Sequence, residues 1–268
     1  MSLADIKFKL SYDNQECDVI REFLTPALKE AKEYDRAVGF FSSSSLMSIS
    51  VGIKALILNG GRIRLVCSPR LSEEDVSAIN EGYDRRKIIE NAINRSFEEP
   101  VDNYQKERLN ILSHLIAEGK MDIKIATMIN GKKQSMYHVK LGIIIDENNN
   151  FVAFNGSMND SENAFYENGE SIDVYSSLDV DYTRAYEKKD YFEKLWNNNA
   201  TNVETIDFPE STIEIINRYW KPEYDLDLDE HELKEKFPVG RRRINPETPS
   251  YVSIREYQSN AYEKWRDM

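Results

Sequence analysis

Two short runs rich in β-branched and aromatic residues flank a helical segment near the amino end of this sequence. Residues 35–41 and 62–67 have the composition of strands, and residues 46–58 between them have helical spacing. The sequence Asn59-Gly60-Gly61 predicts the end of that helix. A strand-helix-strand unit of this length predicts two parallel strands in one sheet. The chain is therefore expected to be an α/β protein.

The same alternation of strand and helix patterns continues to about residue 200. Helices are predicted over residues 17–33, 73–118 with an interruption near Pro100, and 182–196, and further strands over 122–126, 137–145, 151–154 and 171–175. These patterns predict a mixed β-sheet flanked by helices. A polar Asn/Thr loop then marks a domain boundary near residue 200, so residues 1–200 are predicted to form the main domain and 201–268 a helical extension and linker.

Composition excludes several classes of protein. The longest apolar runs fall far short of the ~20 residues of a membrane helix, and the amino end lacks the pattern of a secretory signal. Only two cysteines occur, Cys17 and Cys67, so a disulfide framework or a zinc ribbon is not expected and a reducing cytoplasm fits. The net charge of -12 argues against attraction of nucleic acid to the whole surface. Any nucleic-acid site must therefore be locally basic.

Five polar residues near predicted strand ends are candidates for a catalytic site. In a strand over residues 137–145, alternation places His138 and Lys140 on one face. Ser157 and Asn159 follow the next strand, and Glu170 immediately precedes the one after it. Displacement at a phosphodiester builds negative charge on the phosphoryl oxygens, which Lys140, Ser157 and Asn159 are suited to stabilise. An imidazole such as that of His138 can attack phosphorus or protonate a leaving oxygen, and Glu170 can orient the ring.

The order and spacing of these residues resemble a known signature. The elements His138-x-Lys140, Gly156-Ser157-x-Asn159 and Asn168-x-Glu170 together resemble the phospholipase D superfamily, mainly over residues 120–178. The upstream segments at residues 37–43 and 61–66 also resemble the amino-terminal half of that fold. The family pattern often has an aspartate five residues after the lysine, where this chain has Ile145, with Asp146 one position later. Whether Asp146 replaces that residue, which usually supports structure, is left open by the sequence.

The resemblance implies a reaction and an assembly. It implies a phosphohistidine intermediate on His138 that water hydrolyses, without a metal or another cofactor. The family needs two His-x-Lys motifs that face each other, and this sequence contains one, so a homodimer with a shared site is expected. Family members with one motif include small bacterial nucleases and a metal-independent restriction endonuclease. The predicted function is therefore a metal-independent nuclease, with DNA favoured over RNA as the substrate.

The carboxyl end carries a second, shorter resemblance. Residues 254–258 followed by Ala261 and Trp265 resemble the opening of superfamily 2 helicase and restriction-translocase motors, in which a glutamine matching Gln258 contacts adenine. The sequence contains no phosphate-binding loop, so ATP is expected only if a downstream motor is present. The chain is thus predicted to be a fragment of a helicase-like restriction or defence protein. A plain terminal amphipathic helix is the alternative.

Other interpretations of the same residues remain open. The scaffold could serve as a catalytically silent module that binds nucleic acid or dimerises beside a helicase. A lipid phosphodiesterase ranks last, because no amphipathic or basic membrane-facing segment is evident. Glu167 is the alternative to Glu170, and His114 is expected to be a structural residue of a helix. No metal site and no membrane association are predicted.

Overall fold

An eight-stranded mixed sheet forms the centre of the protein. The computed structural model describes residues 2–39, 53–97, 103–129, 137–157, 170–180 and 182–226. In these residues the strands lie in the order β1-β7-β6-β5-β2-β3-β4-β8. Their bounds are β1 Ser11–Asp13, β2 Ala31–Ala37, β3 Arg62–Cys67, β4 Met121–Met128, β5 Leu141–Asp146, β6 Phe151–Gly156, β7 Ser171–Ser176 and β8 Val203–Asp207. The predicted α/β class with a mixed sheet is confirmed.

Strand directions bring many strand ends to one edge of the sheet. β2, β3 and β4 are parallel, whereas β5 runs antiparallel to both β2 and β6. β7 in turn is antiparallel to β6 and to β1. The carboxyl ends of β1, β2, β3, β4 and β6 therefore meet the amino ends of β5, β7 and β8 at the same edge. Polar residues at those ends are brought together although they are distant in sequence.

Helices cover both faces of the sheet. In the described residues they are α1 Thr25–Glu30, α2 Ile53–Leu58, α3 Glu73–Asn80, α4 Arg85–Arg95, α5 Asn103–Ala117, α6 Thr183–Trp196 and α7 Glu210–Asn217. A π-helical turn at Ile20–Leu24 leads directly into α1. The predicted helix over residues 17–33 is wrong at its end, since α1 stops at Glu30 and the chain enters β2 at Ala31. Burial of Ala31 and Tyr34 in the sheet outweighs the helical spacing of the surrounding charges.

The face of the sheet that packs against α6 contains one large apolar cluster. Its buried members come from seven elements and from the segment before β5: Ala37, Val66, Ala126, Tyr137, Leu141, Ile143, Ile145, Phe151, Ala153, Ala185, Phe192, Leu195 and Val203. Asp35 and Arg64 also face this side, where the Arg64 guanidinium lies 5.2 Å from the ring centre of Phe192. Arg64 Nε and Nη2 donate to Asp35 at 2.7 and 2.6 Å, so the two charges are buried as a bidentate pair.

The opposite face packs against the π-helical turn and α1. The Phe23 ring meets that of Phe154 edge to face at 5.1 Å between centres. Gly142 lies directly beneath Phe154, because a Cβ at this position would come within 2.1 Å of the ring. The Arg36 guanidinium lies 5.2 Å from the centre of the same ring. Alternation along β2 thus sends Asp35 and Arg36 to opposite faces.

Residues after 200 continue the compact unit. β8 pairs with β4, and α7 packs on α4 and α5, so both belong to the unit Met1–Glu232 although they follow the boundary predicted at residue 200. His114 of α5 is buried, stacks on Tyr224 with 4.1 Å between ring centres, and contacts the carbonyl of Lys221 through Nε2 at 2.7 Å. These contacts agree with a structural role for His114.

Some predicted features fall outside the described residues. These are the last two residues of the predicted strand 35–41, residues 46–52 of the helix 46–58, and everything after residue 226, including Gln258. Among the helices that the structure describes, none is long and apolar enough to span a membrane.

Candidate active site

His138 and Lys140 lie at the entrance to β5, on the edge where the strand ends meet. The predicted strand 137–145 is wrong at its start, because the ladder begins at Leu141 and the four residues before it are not paired. Leu141 pairs with Ala37 on one side and with Asn155 on the other. The His-x-Lys segment therefore projects from the middle of the sheet, between the ends of β2 and β6.

The side chains of His138 and Lys140 are in direct contact. Lys140 Nζ lies 2.9 Å from His138 Nε2, while His138 is exposed and Lys140 is 9% exposed. Tyr137 packs in the cluster beneath α6, so the extended chain sends His138 and Lys140 toward the other face. An ammonium can only donate, so this contact places a lone pair on Nε2 and the ring proton on Nδ1. Nε2 is therefore the ring atom with nucleophilic capacity in this arrangement.

Gly39, just beyond the end of β2, makes room for the imidazole. A Cβ on Gly39 would come within 2.7 Å of His138 Cδ2 and 3.6 Å of Nε2. Real Cβ atoms do not approach other atoms this closely, so any larger residue would displace the ring. The absence of a side chain at this position allows the observed contact between His138 and Lys140.

Ser157 and Glu170 lie side by side across the ends of β6 and β7. Ser157 N donates to the carbonyl of Ser171 at 3.1 Å, and Ser171 N donates back to Ser157 Oγ at 3.3 Å. Glu170 precedes β7 by one residue and is 8% exposed. In β7, Ile172 pairs with Gly156, which lies on the same face of the sheet as Phe154. Because side chains alternate, Glu170, two residues before Ile172, also lies on this face, which is the face of Lys140. With β6 between them, the backbones of Glu170 and His138 are about 10 Å apart.

Asn14 holds the backbone of Glu170 in place. Glu170 N donates to Asn14 Oδ1, and Asn14 N donates to the carbonyl of Glu170, both at 3.0 Å. This reciprocal pair continues the β1–β7 ladder by one step beyond Asp13. The amino-terminal strand thus positions a residue near the entrance to β5.

Asn159, Asn168 and the alternative Glu167 lie outside the described residues, so the structure brings together four of the five predicted site residues at one edge. Asp146 lies at the opposite end of β5, roughly 20 Å from Lys140. Its carboxylate accepts from Ser2 Oγ at 2.6 Å and from the backbone of Leu3 and Asn150 at 3.0 and 2.9 Å. Burial favours a raised pKa for Asp146, but these hydrogen bonds hold the pKa below its ordinary value. Asp146 therefore anchors structure and is remote from the candidate site.

Two buried cationic side chains lie beside the candidate site. Lys140 and Arg36 are both buried cations on one face, and Arg36 is cross-strand partner of Gly142, two residues from Lys140. Burial raises the pKa of the Tyr137 hydroxyl, and the charge of Arg36 acts in the opposite direction.

Taken together, these groups can bind and activate an anion. Lys140 supplies a cation, the imidazole supplies a lone pair, and the Ser157 hydroxyl lies at the end of the neighbouring strand. Glu170 supplies a partly shielded carboxylate on the same face. In the described residues, no cluster of three or more His, Cys, Asp or Glu side chains has the geometry of a metal site.

Sequence reasoning missed three contributors: Gly39, Asn14 and Arg36. Gly39 lies within the segment 37–43 that resembles the family fold, and a glycine at the end of a predicted strand signals a close approach. Asn14 follows a three-residue strand that is too short to leave a periodic signal. Arg36 lies in a predicted strand, where an arginine is usually taken as an exposed residue.

Comparisons with known proteins identify the family of this domain. A family model described as "Cardiolipin synthase, PLD-like domain" matches residues 24–196. NucT from Helicobacter pylori is 17% identical, with a TM-score of 0.43, over 75% of this chain and 100% of that one. The phospholipase D family member Nuc from Salmonella typhimurium is 16% identical, with a TM-score of 0.40, over 75% and 97%. No curated protein matches the sequence. Because the family model covers more than half of the sequence, this chain belongs to the phospholipase-D-like domain family.

Proposed function

We propose that this protein is a metal-independent phosphodiesterase of the phospholipase D type that cleaves nucleic acid. The observation that carries the proposal is the 2.9 Å contact between Lys140 Nζ and His138 Nε2 at an edge where Ser157 and Glu170 also lie. An ammonium beside an exposed imidazole is suited to receive a phosphodiester, since a phosphate oxygen can replace Nε2 as the partner of Lys140. Asn159, two residues after Ser157, is a further proposed donor to the phosphate.

The proposed reaction has two displacements at phosphorus. In the first, the Nε2 lone pair of His138 forms a bond to phosphorus, and the bond from phosphorus to the leaving oxygen breaks. The leaving oxygen takes a proton from the imidazolium of His138 of the partner subunit, and Glu170 stabilises the charge that develops on the attacking ring. In the second, the now neutral ring of the partner's His138 removes a proton from water as the water oxygen attacks phosphorus, and the phosphorus–nitrogen bond breaks.

This reaction requires two histidines, which motivates the proposed homodimer. The sequence contains one His-x-Lys element, so a two-fold axis would bring two copies of the edge together. His138 is exposed and therefore accessible to a second subunit.

The choice of nucleic acid rests on the resemblance of the single-motif pattern to small nucleases, and DNA is preferred over RNA. We infer further that residues 1–200 carry the catalysis and that 201–268 lead toward an ATP-dependent motor in a longer protein. In that longer protein Gln258→Ala should weaken ATP binding, measured with a fluorescent nucleotide. Unchanged ATP affinity would contradict the assignment of Gln258.

A cleavage assay tests the chemistry. Labelled single-stranded DNA, double-stranded DNA, RNA and a phospholipid vesicle are incubated with the protein in excess EDTA. We expect DNA cleavage that His138→Ala reduces by roughly 10³-fold or more, since the nucleophile is lost. Cleavage that depends on added metal, or that is indifferent to His138, would refute the mechanism. Hydrolysis of lipid alone would change the substrate class, and a parent dimer that binds DNA without cleaving any substrate would favour a silent binding module.

Mixing experiments test the shared site. Parent and His138→Ala chains are unfolded together, refolded in varied ratios, and assayed at constant total protein. If one site uses a histidine from each subunit, activity should fall as the square of the parent fraction. A linear decrease, or a monomeric parent by light scattering, would contradict the two-histidine arrangement.

A further inference from the structure

Asn14 closes the ladder between β1 and β7 with its side chain. In this antiparallel pair Val174 N donates to the carbonyl of Leu10 at 2.8 Å, so every second residue pair counted from there is a hydrogen-bonded one. Counting in this way reaches Asn14 and Glu170, where each backbone N–H would normally donate to the carbonyl of the other residue. Asn14 N does so at 3.0 Å, but Glu170 N donates to Asn14 Oδ1 at 3.0 Å instead. A side-chain amide thus replaces a backbone carbonyl at the end of the ladder.

This change of acceptor coincides with the turn that begins at Asn14. β1 ends at Asp13, whose carbonyl accepts from Glu16 N and Cys17 N at 3.0 and 2.9 Å. The backbone therefore leaves the ladder at Asn14, while the Asn14 side chain still reaches Glu170 N. An apolar residue at position 14 would remove this acceptor from the Glu170 N–H. The identity of residue 14 therefore matters to Glu170 as well as to the turn.

Glu170 and His138 lie in one row across the sheet. Extending the β5–β6 register by one step puts Lys140 opposite Gly156, which is also the partner of Ile172. His138 and Glu170 each come two residues before that row, on the same face and about 10 Å apart. Lys140 Nζ contacts Nε2 of His138, which leaves the Nδ1 proton for an acceptor such as the Glu170 carboxylate. Whether the carboxylate meets that proton depends on the direction in which the side chain leaves the Glu170 backbone.

Resting on the proposed function, in which Glu170 stabilises the charge on the attacking ring, we propose that Asn14 is a positioning residue for Glu170. By accepting from Glu170 N, the Asn14 amide fixes the backbone from which the carboxylate projects and so directs the carboxylate toward His138. A misplacement of about 1 Å in a catalytic group can cost roughly 100-fold in rate. Loss of one of the two hydrogen bonds to the Glu170 backbone should cost less, about tenfold, because Asn14 N still donates to the Glu170 carbonyl.

The test is a double-mutant cycle between Asn14→Ala and Glu170→Ala, with kcat and KM measured on DNA. We expect Asn14→Ala to lower kcat by about tenfold and to leave KM within about threefold of the parent, because the loss arises in the transition state. In the background of Glu170→Ala the same change should lower kcat by less than about twofold, since no carboxylate remains to be directed. A merely structural role for Asn14 would give the same loss in both backgrounds.

Two further variants separate the acceptor from the turn. Asn14→Asp keeps an acceptor oxygen for Glu170 N and should restore kcat to within about threefold of the parent. Asp13→Ala is the matched control, because it removes the acceptor of the 2.8 Å hydrogen bond from Gln15 N in the same turn. It should keep kcat within about twofold of the parent, since Asp13 Oδ1 does not hold Glu170.

A second readout needs no cleavage. Nuclear magnetic resonance of the ring nitrogens of His138 measures the fraction of the neutral ring that carries its proton on Nδ1. Glu170→Ala and Asn14→Ala should both lower this fraction, the second by less, because each weakens the acceptor for the Nδ1 proton. Asp13→Ala should leave it unchanged.

The outcomes separate this proposal from the proposed function. A proton distribution that Asn14→Ala or Glu170→Ala leaves unchanged would overturn the role of Asn14, as would equal losses of kcat in the two backgrounds or in Asp13→Ala. A parent that cleaves nothing defeats the proposed function alone, and the proton distribution on His138 then still decides the role of Asn14. If Asn14→Ala does not fold, Asn14→Gln, which moves the amide oxygen by one methylene, replaces it in the same comparisons.

Discussion

Replacement of Arg64 by methionine would remove the cation from a buried charge cluster beneath α6. Arg64 donates to Asp35 through two nitrogens at 2.7 and 2.6 Å and to Glu193 Oε1 at 2.6 Å. Methionine keeps an unbranched apolar chain against Phe192 but leaves the Asp35 carboxyl, which is 0% exposed, without its partner. Breaking a buried ion pair in this way costs about 3–5 kcal/mol near neutral pH.

The loss of stability caused by Arg64→Met should depend on pH, because Asp35 titrates within the pH range in which unfolding can be measured. Burial raises the pKa of Asp35 to about 6, against the opposing hydrogen bonds from Arg64. The folded parent therefore binds more protons than the unfolded chain between about pH 4 and 6, and its stability falls through that window by up to about 3 kcal/mol. Without Arg64 the pKa of Asp35 rises further, so the variant continues to lose stability above pH 6. The gap between parent and variant should widen by about 2 kcal/mol from pH ~6 to ~7.5.

Urea unfolding followed by circular dichroism at about pH 5 and pH 7.5 measures this gap. Arg62→Met is the matched control, since Arg62 is in the same strand but 58% exposed and paired with Glu33. It should cost less than about 1 kcal/mol at both pH values. An Arg64→Met gap that is equal at the two pH values would refute the coupling to Asp35. In the background of Asp35→Asn, the widening should vanish.

Three further substitutions test the geometry. Gly39→Ala places a Cβ 2.7 Å from His138 Cδ2, so kcat on DNA should fall by about 100-fold while the melting temperature stays unchanged. A kcat equal to that of the parent would contradict the close packing of Gly39 and His138. Gly142→Ala places a Cβ 2.1 Å from the Phe154 ring and should cost about 1–3 kcal/mol in urea unfolding, whereas neutral behaviour would mean that the ring can move freely. Asp146→Ala removes the hydrogen-bond acceptor for Ser2, Leu3 and Asn150, so the free energy of unfolding should fall by about 2–3 kcal/mol. Its kcat should stay within about twofold of the parent, and a large loss of kcat would mean that Asp146 takes part in the reaction.

Much of the sheet was predictable from local pattern because its central strands are strongly apolar. The strand Arg62–Cys67 was predicted with the observed bounds, since a β-branched run ends there on both sides at turn residues. The predicted start of β2, at residue 35, lies four residues after the observed start at Ala31, because Lys32 and Glu33 have the spacing of an exposed helix end. Ala31 pairs with Asp146, a contact 115 positions away that no local window contains. The start of β2 is therefore determined by strand pairing in the folded protein, which local propensity does not predict.

The sequence predicts which residues form the candidate site, and this assignment stays a prediction, whereas the geometry of the site could not be predicted. Alternation correctly placed His138 and Lys140 on one side, although the segment lies before the ladder of β5. The supporting residues Asn14 and Arg36 could not be found in the same way, because each acts through a neighbour in another strand. Such contacts depend on strand order, and strand order is set by the packing of the whole sheet.

The candidate site and the largest group of helices lie at different parts of the sheet, and this separation has an evolutionary consequence. The described residues of the candidate site lie on or beside β2, β5, β6 and β7, whereas α3, α4, α5 and α7 pack on one another beside β3, β4 and β8. Insertions and rapid sequence drift in residues 70–120 should therefore leave the chemistry intact as long as β3 and β4 keep their register. We expect homologues to diverge mainly in this helical half, where new binding surfaces can arise without disturbing the residues around His138.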